Sequence, residues 1–416
     1  MSAGQHLPKQ ALQQHATGPL QGVRVVDLSR LVAGNMLTLQ LGDFGADVIK
    51  VESAGAGDTL REWREPHADH PDGYDGWWRT YARNKRSLAL NLRDGQAMHW
   101  LKRLIATAQV LVESFKPGTL ENMGLSPEQL HADNPGLVIV RLSGWGQTGP
   151  YRELPGFGSL IEGFSGYAHK HRCDGGAPQL PNMALADMVT GLTGAFATLT
   201  ALREVEVRGG QGQVIDLSLL EPMLAIMGPD VSNFAATGVD PEPGQKIASP
   251  RGSYRCEDGL WVSMSGSTDT MAKRVFEAIG QLALFEDPRF SSNAARLDND
   301  AELDAMVAQF MLQRTQDECL KHFRQHGVTV GPIYAPPQLI QDTHVVQRGV
   351  YVQCEAGDGN ETTVMHQVTP RLQGTPGSIR RAAPLRGQHT EELLSELGAS
   401  AAECQSLKTQ GAIECR

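Results

Sequence analysis

Short β-branched runs alternate with helical stretches along the first half of the chain, and this alternation limits the fold more than any other feature. Val23-Arg24-Val25-Val26-Asp27-Leu28 has strand character, Ser29 to Gly34 breaks it, and Asn35 to Phe44 reads as a helix. Ala46-Asp47-Val48-Ile49-Lys50-Val51-Glu52 is a second strand. Strand, turn, helix and strand in about thirty residues make a βαβ unit, whose strands are parallel. The pattern continues with a strand entered at Asn84 to Arg93, a helix at Ala97–Thr107, a strand at Val110–Glu113, helical pieces from Leu120 to Leu130, and strands at Leu137–Leu142 and Val214–Ser218. A doubly wound α/β domain is the expectation.

Open parallel sheets bind ligands outside the carboxyl ends of their strands. That rule marks the backbone at Leu31, Val32 and Ala33, and the cations Arg93 and Lys116, although each cation by itself reads first as a solvated surface charge. Ser53 to Tyr81 reads as a long loop carrying Trp63, Trp77 and Trp78, of the kind that covers a surface or serves a site.

With 416 residues, 40% hydrophobic and 20% charged, the chain can bury a large core without staples. Its net charge of −10 argues against a general nucleic-acid binder, whose affinity rests on neutralising phosphates. Cys173, Cys256, Cys319, Cys354, Cys404 and Cys415 form no CxxC pair, which fits reduced thiols better than disulfides or a metal site. Met1 to Thr17 is polar, expected to fray and without a signal-peptide core, and no apolar run approaches membrane-spanning length. A soluble cytoplasmic protein, without membrane or nucleic-acid partners, is expected.

The stretch Pro181 to Leu192 places one carboxylate conspicuously. A short apolar approach ends at Asp187, and Met188, Leu192, Phe196, Leu199 and Leu202 then recur at helical spacing to about Arg203. Gly191, Gly194, Ala195, Ala197 and Ala201 keep that helix thin. Asp187 therefore falls at or beside the N-cap, where unpaired N–H groups favour an ionised carboxylate. It reads either as a cap alone or as a carboxylate nucleophile.

Ser143-Gly144-Trp145-Gly146-Gln147-Thr148-Gly149-Pro150 contains a formal G-x-G-x-x-G after a strand. Pro150 to Gly156 follows instead of a long amphipathic helix, so dinucleotide binding is disfavoured; the glycines read as a turn through which backbone approaches something closely. Gly228 to Gly244 shows no periodicity and reads as an interdomain linker. A hairpin at Gly252–Ser265, helices near Thr270–Ile279, Asp300–Leu312 and Gln316–His326, strands at Val350–Gln353 and Thr362–Val368, and a last helix at Thr390–Leu397 complete the chain.

Taken together, the chain resembles the class III CoA transferases, the formyl-CoA and carnitine-CoA transferase family. The resemblance runs from about Leu20 to Gly398. It rests on Asp27 to Arg30 with Ala33-Gly34, Gly45 to Glu52, Asn84-Lys85-Arg86-Ser87, Phe115-Lys116-Pro117-Gly118, Ser143 to Pro150, Ala186-Asp187 with Gly191, and Gly387 to Glu391. It implies an interlocked homodimer in which each chain forms a Rossmann-like large domain from residues 1–228 and 333–416 and a smaller α+β domain from 229–332. It further implies that Asp187 is the catalytic aspartate. CoA, a substrate rather than a tightly bound cofactor, would meet Leu31, Val32, Ala33, Ser53, Leu90, Asn91, Leu92, Arg93, Ser114, Phe115, Lys116, Asn122, Ser143, Gly144, Trp145 and Gly146. No metal is implied. Asn35 stands where the family usually has Pro, and Ser114 where Asn is common. The family's glycine-rich closing loop is not evident; Ser249-Pro250-Arg251-Gly252 is the nearest candidate.

The expected chemistry is CoA transfer between an acyl-CoA and a carboxylic acid through an aspartyl anhydride and an aspartyl-CoA thioester, with oxyanion donors from a helix start and the Gly144–Gly149 turn. Two rivals share the resemblance: an acyl-CoA racemase and a non-enzymatic CoA-binding protein. The racemases use a His-Asp pair where this chain has Phe157 and Gly158, and no His lies between Leu137 and Ala168. Pro155 to Gly158 with Glu162 to Gly166 looks like a bacterial branch that includes mesaconyl-CoA and other dicarboxylate transferases, acting on acids such as succinate, glutarate or citramalate. Arg152, His169, His171, Arg172 and Arg251 are candidates to meet a second carboxylate.

Overall fold

Valine- and isoleucine-rich runs buried on both faces form the backbone of a seven-stranded sheet. Strands β1 (Arg24–Asp27), β2 (Asp47–Ser53), β3 (Lys85–Leu90), β4 (Val110–Glu113), β5 (Val138–Ser143) and β6 (Val214–Ser218) pair in parallel. Strand β7 (Ile413–Glu414) pairs antiparallel with β3. The order is 7-3-2-1-4-5-6, so the parallel part runs 3-2-1-4-5-6, the doubly wound order, with its switch point between β1 and β4. The computed structural model describes residues 4–13, 15, 17–67, 70–172, 176–240, 244, 246–356 and 361–416. Cys173 and parts of Met1–Thr17 and of the 228–244 stretch lie outside them.

Alternate residues of each strand face opposite layers. Val26, Ile49, Leu111 and Ile139 pack against Trp100, Leu101 and Leu104 of one layer. Val25, Val48, Val112 and Val140 pack against Leu37, Leu41, Ala195 and Leu202 of the other. The first layer contains α2 (Gly95–Ile105), started by the Asp94 carboxylate, which accepts the Gln96 and Ala97 N–H groups. The second contains α1 (Leu31–Asp43) and α4 (Leu185–Arg208), with the short α3 (Gly158–Phe164) preceding α4 in the chain.

Helices α1 and α4 lie unusually close because α4 carries glycine at the contact. A Cβ at Gly191 would stand 2.8 Å from the Ala33 carbonyl oxygen and 2.7 Å from Met36 Cβ. One at Gly194 would meet Leu37 Cδ1 at 2.5 Å. At 24 residues, α4 is long and apolar enough to cross a membrane by length and composition, contrary to the sequence expectation. Here Ala186, Thr190, Ala195, Thr198, Ala201 and Leu202 are buried against the rest of the fold.

The chain divides into two compact units, Met1–Val239 with Arg348–Arg416, and Asp240–Gln347. The C-terminal segment is held in the first by Gly387 N–H donating to Ser87 Oγ (2.8 Å), Ser87 N–H to His389 Nδ1 (3.2 Å) and Trp78 Nε1–H to the Pro384 carbonyl (3.0 Å). The N-terminal segment is also tied: Gln10 N–H donates to the Gln353 carbonyl at 2.8 Å, and Lys9 bridges the Tyr351–Glu355 strand. The second unit has an antiparallel sheet of Arg251–Arg255, Trp261–Ser265 and Val330–Ile333. Its core holds Tyr254, Phe276, Phe290 and Phe323.

Several stretches differ from expectation for physical reasons. The 53–81 loop contains a 3-10 turn at Thr59–Glu62, a hairpin of Glu65–His67 with His70–Tyr74, and a helix at Gly76–Tyr81. The expected linker holds a helix, Asp230–Thr237, which belongs to the first unit, and residues 333–347 belong to the second. The helix Ala401–Thr409, capped by Ser400, had no strong periodic signal.

Replacing Gly191 by Ala should lower unfolding free energy by about 1–3 kcal/mol despite the better helix propensity of Ala, because the added methyl meets backbone. Gly163 on α3 has nothing within 4 Å of its would-be Cβ. Gly163→Ala should therefore be neutral or slightly stabilising, with urea denaturation separating the two.

Candidate active site

A cavity of about 740 Å³ opens at the carboxyl ends of β1, β4, β5 and β6, beside the switch point. Arg30 and Leu31 follow β1, Ser114 to Pro117 follow β4, Ser143 and Gly144 close β5, and Leu219 follows β6; Asp187 joins them from α4.

The turn after β1 is held from behind by buried charge. Leu31 has φ of 63°, a left-handed conformation costly for a branched residue. The Asp58 carboxylate fixes it by accepting Leu31 N–H at 3.0 Å and Leu60 N–H at 2.9 Å. Lys50 pairs with Asp58 at 2.9 Å and with Asp27 at 3.3 Å. Burial would raise the Asp58 pKa, but Lys50 and the two N–H donors outweigh it and hold the carboxyl at about 2. Helix α1 therefore starts at Leu31, four residues before the expected Asn35. The Asn35 amide donates to the Leu31 carbonyl (2.6 Å) and to Asp58 (2.8 Å), while its oxygen accepts from Lys85 (2.6 Å).

The neighbouring loops are locked in the same manner. Ser114 Oγ accepts Arg30 N–H at 3.1 Å, tying the ends of β1 and β4. Glu113 accepts Phe115 N–H at 2.7 Å and is paired with Arg141 at 3.0 Å. The glycine turn after β5 packs on its own chain: a Cβ at Gly144 would lie 2.3 Å from Gly156 Cα, and Trp145 Nε1–H donates to the Pro155 carbonyl at 3.0 Å. Gly146 N–H is taken by Ser143 Oγ and Gln147 N–H by Asp216, each at 3.0 Å. Two of the expected oxyanion donors of this turn, the Gly146 and Gln147 N–H groups, are thus engaged internally.

Asp187 is the third residue of α4, inside the first turn, while Ala184 occupies the cap position without a side-chain hydrogen bond. Its carboxylate lies over Gly158, where a Cβ would come within 2.5 Å of Oδ2. Burial, and then the neighbouring Glu162 carboxylate, push its pKa up to about 6; the Ala33 N–H and its own N–H oppose the rise. Glu162 is buried and accepts Ala186 N–H at 3.1 Å.

Of the residues expected from sequence, Leu31, Ala33, Ser114, Phe115, Lys116, Ser143, Gly144 and Asp187 line the cavity. Val32 instead packs with Leu60 and Trp78. Ser53, Leu90, Asn91, Leu92, Arg93, Asn122, Trp145 and Gly146 lie outside its walls; Leu90 is core, and Asn91 bonds the backbone of Ala412 and Arg93. Arg152 lines the cavity, whereas His169, His171, Arg172 and Arg251 do not. Ser249-Pro250-Arg251-Gly252 sits in the second unit, with Ser249 Oγ donating to Asp300 at 2.6 Å. Arg30, Thr59 and Leu219 were not expected; only Arg30 and Leu219 follow strands closely enough for the strand-end rule to find them. Among the described residues no group of three or more His, Cys, Asp or Glu is placed to hold a metal ion.

Comparison with known proteins agrees with this geometry. Residues 20–390 match the model of CoA-transferase family III. A Chloroflexus aurantiacus protein named succinyl-CoA–D-citramalate CoA-transferase is 37% identical over 92% of this chain and 95% of its own. The succinate–glutarate CoA-transferase of Agrobacterium fabrum is 32% identical over 91% of this chain and 96% of its own. The crystal structure of a CAIB/BAIF family protein from Brucella suis superposes with a TM-score of 0.80 at 30% identity, covering 91% of this chain and 99% of that one. A doubly wound sheet with the Asp187 carboxylate in a cavity wall at its switch point, matched to these relatives over nearly its whole length, makes the chain a member of CoA-transferase family III.

Proposed function

We propose that this enzyme moves CoA from a dicarboxylyl-CoA, such as succinyl-CoA, to a second dicarboxylate, with Asp187 as the covalent carrier. The observation that carries the reading is the Asp187 carboxylate in the cavity wall, over Gly158 and facing the Ala33 N–H. The names of the relatives support the choice of substrates. Phe157 and Gly158 offer no base for racemase chemistry.

Asp187 attacks the thioester carbonyl, the C–S bond breaks, and the electron pair leaves with the CoA thiolate. The thiolate then attacks the aspartyl carbonyl of the mixed anhydride and expels the donor carboxylate, leaving an aspartyl-CoA thioester. The acceptor carboxylate repeats both steps in reverse order and frees Asp187. Each addition places negative charge on a carbonyl oxygen. The Ala33 N–H in the first turn of α1, without an intrahelical partner and directed at Asp187, is the fixed donor assigned there. These steps need neither a metal nor a redox group. Arg30 and Lys116 at the rim supply positive charge for CoA phosphates, and Arg152 is assigned to the distal carboxylate.

The same reading includes a homodimer, interlocked as the resemblance implies, in the cytoplasm. Supporting it, α4 exposes Leu192, Phe196 and Leu199, with Phe196 72% exposed, and the Asp230–Thr237 helix exposes Val231 and Phe234. Sedimentation at nanomolar concentration should show a dimer that does not dissociate; monomer would refute the interlocked form.

Asp187→Asn should abolish nearly all turnover while leaving the fold intact. Wild-type protein given an acyl-CoA should form a hydroxylamine-sensitive adduct confined to the Asp187 peptide by mass spectrometry. Because the folded pKa of about 6 exceeds the ordinary 3.8, folding favours the protonated form. Asp187 then costs no stability below about pH 4 and an increasing amount up to about pH 7, so Asp187→Asn should gain roughly 1–3 kcal/mol at pH 7 and little at pH 4.

Arg152→Gln should raise KM for a dicarboxylate acceptor roughly tenfold or more while sparing a monocarboxylate of equal length, as steady-state kinetics would show. Equal losses for both acids would remove Arg152 from the role.

A further inference from the structure

The proposed mechanism leaves one buried charge beside its nucleophile without a task. Glu162 is 2% exposed, and its one side-chain hydrogen bond among the described residues is the 3.1 Å contact with Ala186 N–H, at the start of the helix that carries Asp187. Gly158 and Glu162 are four apart on α3 and so share a helix face. On that face the glycine leaves room for the Asp187 carboxylate, and the glutamate holds the backbone one residue before it. A helix start that needs an acceptor for its N–H groups would be served as well by a neutral Gln or Ser side chain. Glu instead puts a second carboxylate on the backbone next to the first, within electrostatic reach of it.

We propose that Glu162 is a positioning residue whose charge drives Asp187 into its acylated forms. This rests on the reading of Asp187 as the covalent carrier. Two carboxylates held close in a partly desolvated wall repel one another. Attack on the thioester converts Asp187 from an anion into a neutral anhydride, and the negative charge departs on the CoA thiolate. Repulsion present in the free enzyme is therefore absent from the anhydride and from the aspartyl-CoA thioester. The same repulsion raises the basicity of the attacking carboxylate and with it its nucleophilicity.

The other charged groups at the cavity are Arg30 after β1, Lys116 after β4 and Arg152 beyond the glycine turn; Asp58 stands behind the start of α1, and Asp216 is turned to Gln147. Helix α1 itself brings N–H groups and no titratable side chain to this end. The upward push on Asp187 comes from burial and from Glu162, and the Ala33 N–H and its own N–H oppose it.

Glu162→Gln tests this directly, because the amide oxygen can still accept Ala186 N–H while the charge is gone. The acid limb of kcat/KM should move down by about one pH unit, and the ratio of adduct to free Asp187, measured by mass spectrometry with donor acyl-CoA alone, should fall about tenfold. The two shifts report one interaction and should agree in size. Glu162→Met, neutral and of similar volume, should move both in the same direction if Glu162→Gln proves poorly folded. An unmoved acid limb together with an unchanged adduct ratio, in a folded variant, overturns the role of Glu162. Absence of any adduct on wild-type Asp187 overturns the carrier reading itself, and the two failures are distinguished by the wild-type control.

Discussion

Asp27, Lys50, Lys85 and Asp58 form a nearly dry cluster of charge at the head of the sheet, and the active-site end of the fold is built on it. Asp27, Lys50 and Lys85 have no exposed surface, and Asp58 has 1%. Such groups are tolerated only when every charge is matched, since removing one partner of a buried pair costs about 3–5 kcal/mol. The matching here is nearly complete. Asp27 accepts from Ser29, Thr38 and Lys50, and Asp58 accepts from Leu31, Leu60 and Asn35. Burial and the nearby Lys50 lower the Lys85 pKa to about 8, against the pull of Asp27. What the cluster secures is the position of the first turn of α1. Leu31 is held in a conformation it would not choose, and the Ala33 N–H two residues on is directed at Asp187.

That turn reaches Asp187 only because α4 can come close. Gly191 and Gly194 remove the side chains that would separate the helices, and Gly158 does the same for α3. Glycine at these positions weakens each helix by roughly 0.5–1 kcal/mol relative to Ala. The fold accepts the loss in exchange for an approach that puts a carboxylate between the ends of two other helices. The glycines at 144 and 156 act differently: they let two stretches of backbone touch, and of the G-x-G-x-x-G set only Gly144 serves that contact.

Asn35, where the resemblance leads to an expectation of proline, holds the turn through its side chain. A proline there would supply no donors. The amide of this chain spans the Leu31 carbonyl, Asp58 and Lys85, so the turn is stabilised through side-chain hydrogen bonds. Ser114 likewise ties its strand end to that of β1 through Arg30 N–H.

The strands, their parallel pairing and the prominence of Asp187 were legible in the residues themselves. Val23–Leu28, Ala46–Glu52, Val110–Glu113 and Leu137–Leu142 are β-branched-rich runs of strand length, and hydrophobic burial of their apolar residues on both faces leaves them few alternatives. A lone Asp before a small-residue helix is equally local information. Distances across the chain are not. The α1 start depends on Asp58, 27 residues further on, and the last strand of the sheet pairs Ile413 with Leu90. Glu162 enters the sequence reading only as the start of the Glu162–Gly166 stretch, and only the packing of α3 on α4 makes it a buried neighbour of Asp187. Arg93, about as near a strand end in sequence as Lys116, does not line the cavity that Lys116 lines. Periodicity and composition act through near neighbours along the chain, so they determine which segments become strands and helices. Which charged side chains meet in one cavity is decided by desolvation and ion pairing between distant segments, and that exists only once the tertiary structure has brought them together.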